Sequence, residues 1–297
     1  MSLSDAERSA LDAQYNLRAA VPEHLAYFAR YEAASRALRA RRRARLDLAY
    51  GATPREAIDL FLPATADAPL LVFIHGGYWQ SRDRKDFSFV ADPWLKRGVA
   101  VALIGYELAP AVRMDAIALQ VRAGLAWLHR HAASHGCDPS RLFLAGHSAG
   151  GHLAAMALAT DWRRRGLPDD LIKGVCAVSG VFDLEPIRLC YLNEVVGLDR
   201  DEARRNSPLH LPFHGRCPVT IAVGELETGA FHEQSRTYAA ALERAGWPCE
   251  LLVQPGVDHF GIVMSMADGD APIVRAIARQ MELPSDGPAP DAPLAPA

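Results

Sequence analysis

Seven short apolar runs recur along the chain: Ile58 to Leu62, Leu70 to Ile74, Val99 to Ile104, Leu142 to Ala145, Ile172 to Val178, Val219 to Val223 and Leu251 to Val253. They are continuous rather than alternating, so each suits a strand buried on both faces. Longer stretches with helical spacing lie between many of them. Met114 to His131 carries Ile117, Val121, Leu125 and Leu128; Ala149 to Thr160, Phe231 to Ala245 and Pro272 to Met281 are of the same kind. Strands separated by helices predict βαβ units and a mainly parallel central sheet with helices on both faces. At 297 residues the chain can close one such domain, expected over residues 46–282.

Three segments depart from this texture. Residues 1–45 read as an N-terminal helical segment packed on the domain, with a helix from Pro22 to Arg45 that carries Leu25, Phe28 and Leu38. Residues 182–216 separate two core strands by too much chain for a plain loop and predict a small cap with short helices. Residues 283–297 hold five Pro and four Ala with little to bury and predict a disordered tail.

Charge and cysteine use narrow the function classes. A formal charge of −3 gives no field that would recruit nucleic acid or an anionic membrane. The arginines at 36, 39, 41, 42, 43 and 45 read as a solvated helix face paired with nearby acids. Five scattered cysteines show no ligand spacing and fit reduced thiols in a cytoplasmic protein. Residues 1–14 lack the basic and apolar regions of a signal peptide, and no apolar run approaches the roughly 18 residues of a membrane span.

The chemistry concentrates at Gly146-His147-Ser148-Ala149-Gly150, between a predicted strand and a predicted helix. A G-x-S-x-G motif in that context is a nucleophile elbow; a Gly-rich turn with a serine helix cap is the plainer alternative. The helix start gives Ser148 a positive dipole end and the Ala149 N–H as a donor to a developing oxyanion. His75-Gly76-Gly77-Tyr78-Trp79 follows an earlier strand and offers the N–H groups of Gly77 and Tyr78 to the same oxyanion hole. His75 has no second ligand at i+2 to i+5, which argues against a metal.

A serine nucleophile needs a base, and His259 lies in the loop after the last predicted strand. The acid is expected after Val219 to Val223, where Gly224-Glu225-Leu226-Glu227 offers two carboxylates. Glu227 is preferred, with Glu225 bracing the turn; Asp258, adjacent to the histidine, and Asp183, after the previous strand, are weaker alternatives. His147 is expected to shape the pocket. Tyr78, Trp79 and Tyr191 are expected to form an aromatic wall, or else to pack their loops.

These motifs together resemble the kynurenine formamidase (arylformamidase) branch of the α/β-hydrolase superfamily, related to hormone-sensitive-lipase-type esterases. The likeness extends to Ser179 to Pro186, Asn206-Ser207-Pro208, Gly256 to Phe260 and Gln14-Tyr15-Asn16, and so spans roughly residues 10–280. It departs at Glu227, where the family's usual acid is Asp. The resemblance implies an α/β-hydrolase fold and hydrolysis of a small acyl, formyl-type amide of an aromatic amine through a serine acyl-enzyme, without a cofactor. A carboxylesterase on short-chain esters is the alternative, and a non-catalytic binding protein on the same fold is a third. The partner implied is a small-molecule aromatic amide or ester, with a homodimer left open.

Overall fold

The computed structural model describes residues 3–284. Eight strands form one sheet: β1 (Ala44–Ala49), β2 (Ala57–Phe61), β3 (Ala68–Ile74), β4 (Ala100–Ile104), β5 (Cys137–His147), β6 (Gly174–Val178), β7 (Val219–Gly224) and β8 (Cys249–Gln254). Their spatial order is β1-β2-β4-β3-β5-β6-β7-β8. β3 to β8 run parallel, while β1 and β2 join antiparallel at one edge. β2, β3, β4, β6 and β7 are buried at every position, as unbroken apolar runs require when both faces are covered.

The principal helices are α1 (Asp5–Tyr15), α2 (His24–Arg41), α3 (Met114–His131), α4 (Ala149–Leu158), α5 (Gly229–Arg244) and α6 (Pro272–Gln280). The apolar stripe of α3, with Ile117, Val121, Leu125 and Leu128, is wholly buried, and its periodicity alone locates it. The mainly parallel sheet with helices between its strands is the arrangement the sequence predicts.

The N-terminal segment corrects one expectation. The helix predicted from Pro22 to Arg45 stops at Arg41, and Ala44–Ala49 is the edge strand β1. Arg, Leu and Ala favour helices, but pairing with β2 decides the matter; a register shift between Arg45 and Leu48 accommodates Asp47, whose N–H donates to Asp59 at 2.9 Å. Within the arginine run, Arg39 pairs with the buried Asp59 at 2.5 Å, and Arg41 and Arg42 pair with Asp92. Upstream, α1 begins with a Ser4–Glu7 capping box.

These two helices are fastened to the domain near one end of the sheet. Tyr31 Oη donates to the Phe260 carbonyl at 2.5 Å, and Tyr78 Oη to that of Tyr15 at 2.9 Å. The Tyr191 N–H donates to Asp12, and Thr228 Oγ1 to the Gln14 carbonyl. Between β6 and β7 the chain makes short helices at Glu185–Leu189, Asn193–Val196 and Arg200–Arg205. The tail expected from Leu283 lies, beyond Pro284, outside the described residues.

Candidate active site

Ser148 sits at the turn between β5 and α4 with φ 58° and ψ −118°. A non-glycine residue there costs on the order of 1–3 kcal/mol of strain, and the turn closes only because the residues two positions to either side, Gly146 and Gly150, lack side chains. A Cβ on Gly146 would stand 2.1 Å from the Gly150 carbonyl oxygen, and one on Gly150 would stand 2.0 Å from that of Ile74. The Ser148 N–H donates to Val178 at 2.8 Å, which ties the elbow to β6. The result is a serine at the start of α4, near the C-terminal ends of the parallel strands, where open α/β sheets bind ligands.

The second element is the loop after β3. Gly77, Tyr78 and Trp79 all have positive φ, at 119°, 49° and 58°. The loop is braced from behind by His75, whose Nδ1–H donates to the Gly76 carbonyl at 2.8 Å and whose ring stacks on Tyr106 at 4.3 Å. Burial pushes the His75 imidazole down to about 4, so it stays neutral in this role. Among the described residues no acceptor takes the N–H of Gly77, Tyr78 or Ala149.

The third element comes from β7 and β8. His259 Nδ1–H donates to Glu227 Oε2 at 2.6 Å, and both side chains are almost wholly shielded from solvent. With its proton on Nδ1, the ring presents Nε2 as a bare acceptor. The other Glu227 oxygen accepts from Ser179 Oγ at 2.5 Å and from the Gly224 N–H at 2.7 Å, so both carboxylate oxygens are satisfied. The hydrogen bonds among the described residues include none from Ser148 Oγ to His259; the two side chains share the wall of one cavity.

The other carboxylates are engaged elsewhere. Glu225 accepts from the Gly256 N–H at 2.8 Å, bracing the turn. Asp258 caps the short helix Gly261–Ser265 through the N–H groups of Phe260 and Gly261. Asp183 accepts from the Glu185 N–H within the cap segment.

The cavity above Ser148 has a volume of about 390 Å³, within the usual span for small-molecule sites. Tyr78, His147 and Tyr191 line it, as expected from the sequence. Trp79 does not. It is fully buried and donates from Nε1 to His152 Nδ1 at 3.1 Å, while His152 Nε2–H donates to the Asn206 carbonyl. Two consecutive left-handed residues turn Tyr78 toward the cavity and Trp79 into the body of the protein, so Trp79 supports the loop instead of touching ligand.

His147 Nε2–H donates to the His259 carbonyl at 2.9 Å, and burial beside His259 pushes its pKa far below the usual histidine range. A neutral His147 places no positive charge against His259.

Several lining residues were not legible in the sequence. Asn16, Arg18, Phe28 and Tyr31 come from the N-terminal segment, which runs over the site although it is more than 100 residues from Ser148 in the chain. Ser179 is likewise new as a partner of Glu227; its signals in the sequence were its position at the end of a predicted strand and its place in the Ser179 to Pro186 block. No group of three His, Cys, Asp or Glu among the described residues is disposed to hold a metal ion. No helix among them is long and apolar enough to cross a membrane, and all five cysteines are free.

Comparison with known proteins matches the BD-FAE family model to residues 58–236. The chain is 37% identical to the kynurenine formamidase of Salmo salar over 80% of its length and 81% of that protein. It is 33% identical to a solved protein of Silicibacter sp. tm1040, provisionally assigned as a thioesterase, with a TM-score of 0.80 over 90% of this chain and 98% of the other. The Pyrobaculum calidifontis esterase shares the fold at 18% identity, with a TM-score of 0.67 over 94% and 98% of the two chains.

Proposed function

The chain belongs to the kynurenine formamidase family of α/β-hydrolases, and from that membership we propose that it hydrolyses a formyl-type amide of an aromatic amine, an N-formylkynurenine-like substrate, through a serine acyl-enzyme. The observation that carries this reading is the 2.6 Å contact of His259 Nδ1 with Glu227, made beside an aromatic-walled cavity that also holds Ser148.

The mechanism follows from the tautomer. His259 Nε2 takes the Ser148 proton as Oγ attacks the formyl carbon, and Glu227 stabilises the imidazolium without itself taking the proton. The carbonyl electrons move onto oxygen, where the N–H groups of Gly77, Tyr78 and Ala149 receive the charge. Collapse breaks the C–N bond as His259 returns the proton to the aryl amine. Water, deprotonated by the same nitrogen, then attacks the formyl-serine ester and releases formate, restoring Ser148.

These steps use residues of one copy of the chain and need no nucleic acid or membrane. Five unpaired cysteines fit a reducing cytoplasm. A second reading, hydrolysis of short esters or thioesters by the same residues, is favoured by the name of the solved relative at 33% identity. The discriminating experiment compares kcat/KM on N-formylkynurenine with that on p-nitrophenyl acetate and a short acyl thioester. The formamide should lead; an enzyme that turned over only the esters would reverse the order of the two readings.

A further inference from the structure

The cavity lining contains two guanidinium groups, Arg18 and Arg82, and not one carboxylate. Near its inner end the histidines are no source of negative charge, and Glu227 lies behind His259, fully shielded. The two arginines differ in how they are held. Arg82 lies with its guanidinium carbon 3.5 Å from the Phe28 ring centroid and has Glu32 and Asp86 at 3.6 and 4.0 Å, so it is fixed in place. Arg18 stands exposed on the short helix Leu17–Ala20, and among the described residues no acid pairs with it.

A guanidinium with no acid partner on the wall of a cavity without carboxylates is open to an anionic group of a ligand. Its planar fork of donors matches a carboxylate in two-point fashion. The same wall carries aromatic rings, among them Tyr31, Tyr78 and Tyr191, which suit an aryl group.

We propose that Arg18, supported by the charge of Arg82, binds a carboxylate on the leaving-group side of the substrate, which makes the enzyme selective for aryl formamides that carry a carboxylate over those that lack one. This rests on the formamidase reading given above and adds to it a charge requirement and the residue that enforces it. Arg18 acts in binding and takes no part in bond making, so its signature is in KM.

The test measures the wild type and Arg18→Gln on N-formylkynurenine and on its α-carboxamide, which differ at the carboxylate. Removing a charge-assisted contact of this kind should raise KM for the acid roughly tenfold and leave kcat within about twofold. The carboxamide should be indifferent to the substitution, and Arg18→Lys should recover part of the affinity for the acid. Equal shifts on both substrates, or no shift on either, would overturn the proposal. A second measurement separates it from the formamidase reading: inhibition of p-nitrophenyl acetate turnover by 4-phenylbutyrate, with 4-phenylbutyramide as control. If the wild type cleaves neither formamide, the formamidase reading fails. The carboxylate subsite then stands if Arg18→Gln weakens inhibition by the acid alone, and falls if it does not.

Discussion

The Ser179 hydroxyl donates to Glu227 Oε1 at 2.5 Å, while the opposite oxygen of that carboxylate accepts from His259. Adjacent parallel strands create this contact: Ser179 follows the end of β6, and Glu227 lies three residues beyond the end of β7. Ser179 therefore holds the Glu227 carboxylate and is not among the residues that line the cavity. Ser179→Ala should lower kcat about tenfold, the scale of a lost hydrogen bond to a charged group, with KM little changed. In a Glu227→Gln background the same change should do almost nothing more, because the two act through one carboxylate. Additive losses in that double-mutant cycle would assign Ser179 a merely structural role.

Ser148→Ala should reduce turnover to the level sustained by the oxyanion hole and binding alone, about 10³-fold over water. Its unfolding midpoint should stay at or above that of the wild type, since alanine leaves intact the backbone contact with Val178. An organophosphate provides the independent check. Its adduct is expected on Ser148, and mass-spectrometric mapping to any other serine would displace the nucleophile.

Glu227→Gln should cost on the order of 10⁴ in kcat through loss of the anion that fixes the imidazole, and Glu227→Asp on the order of 10²-fold through a carboxylate about 1 Å short. Glu225→Gln is the control, because Glu225 contacts the Gly256 N–H and not the histidine. A Glu225→Gln enzyme as impaired as Glu227→Gln would show that the turn, not the carboxylate, limits the rate.

How far the sequence reveals this molecule depends on how local each signal is. Continuous apolar runs locate the core strands, and a small-residue turn around Ser148 is legible because only glycine tolerates 2 Å backbone contacts. The edge strand β1 is not, since its residues favour helix in isolation and become a strand only by pairing with β2. Neither is the cavity wall built by Arg18, Phe28 and Tyr31, whose approach to Ser148 is set by packing between distant segments. Trp79 shows the same limit at short range: the motif is plain in the sequence, but the direction of each side chain depends on the two positive φ angles at Tyr78 and Trp79.

That orientation is open to measurement. Trp79→Phe keeps the ring and removes the indole N–H, leaving the buried His152 Nδ1 without its donor. Stability should fall by about 1–3 kcal/mol in urea unfolding, while KM for the aryl formamide should move less than twofold. A large change in KM without loss of stability would return Trp79 to the substrate wall.

Three buried histidines predict how stability responds to acid. Burial pushes His75 and His152 down to about 4, and His147 well below its usual range. In the unfolded chain each would titrate near 6.5. Above that pH all three are neutral in both states and contribute no slope. As the pH falls from 6.5 toward 4 the unfolded chain takes up protons that the native state refuses, so stability declines. The limiting slope for three such groups is about 4 kcal/mol per pH unit. Urea midpoints between pH 7.5 and 5 should therefore be flat at first and then drop steeply, with His152→Gln reducing the slope by about one proton. A slope of one proton or less in the wild type would mean that these imidazoles ionise within the folded protein, and the neutral bracing roles of His75 and His147 would fall with it.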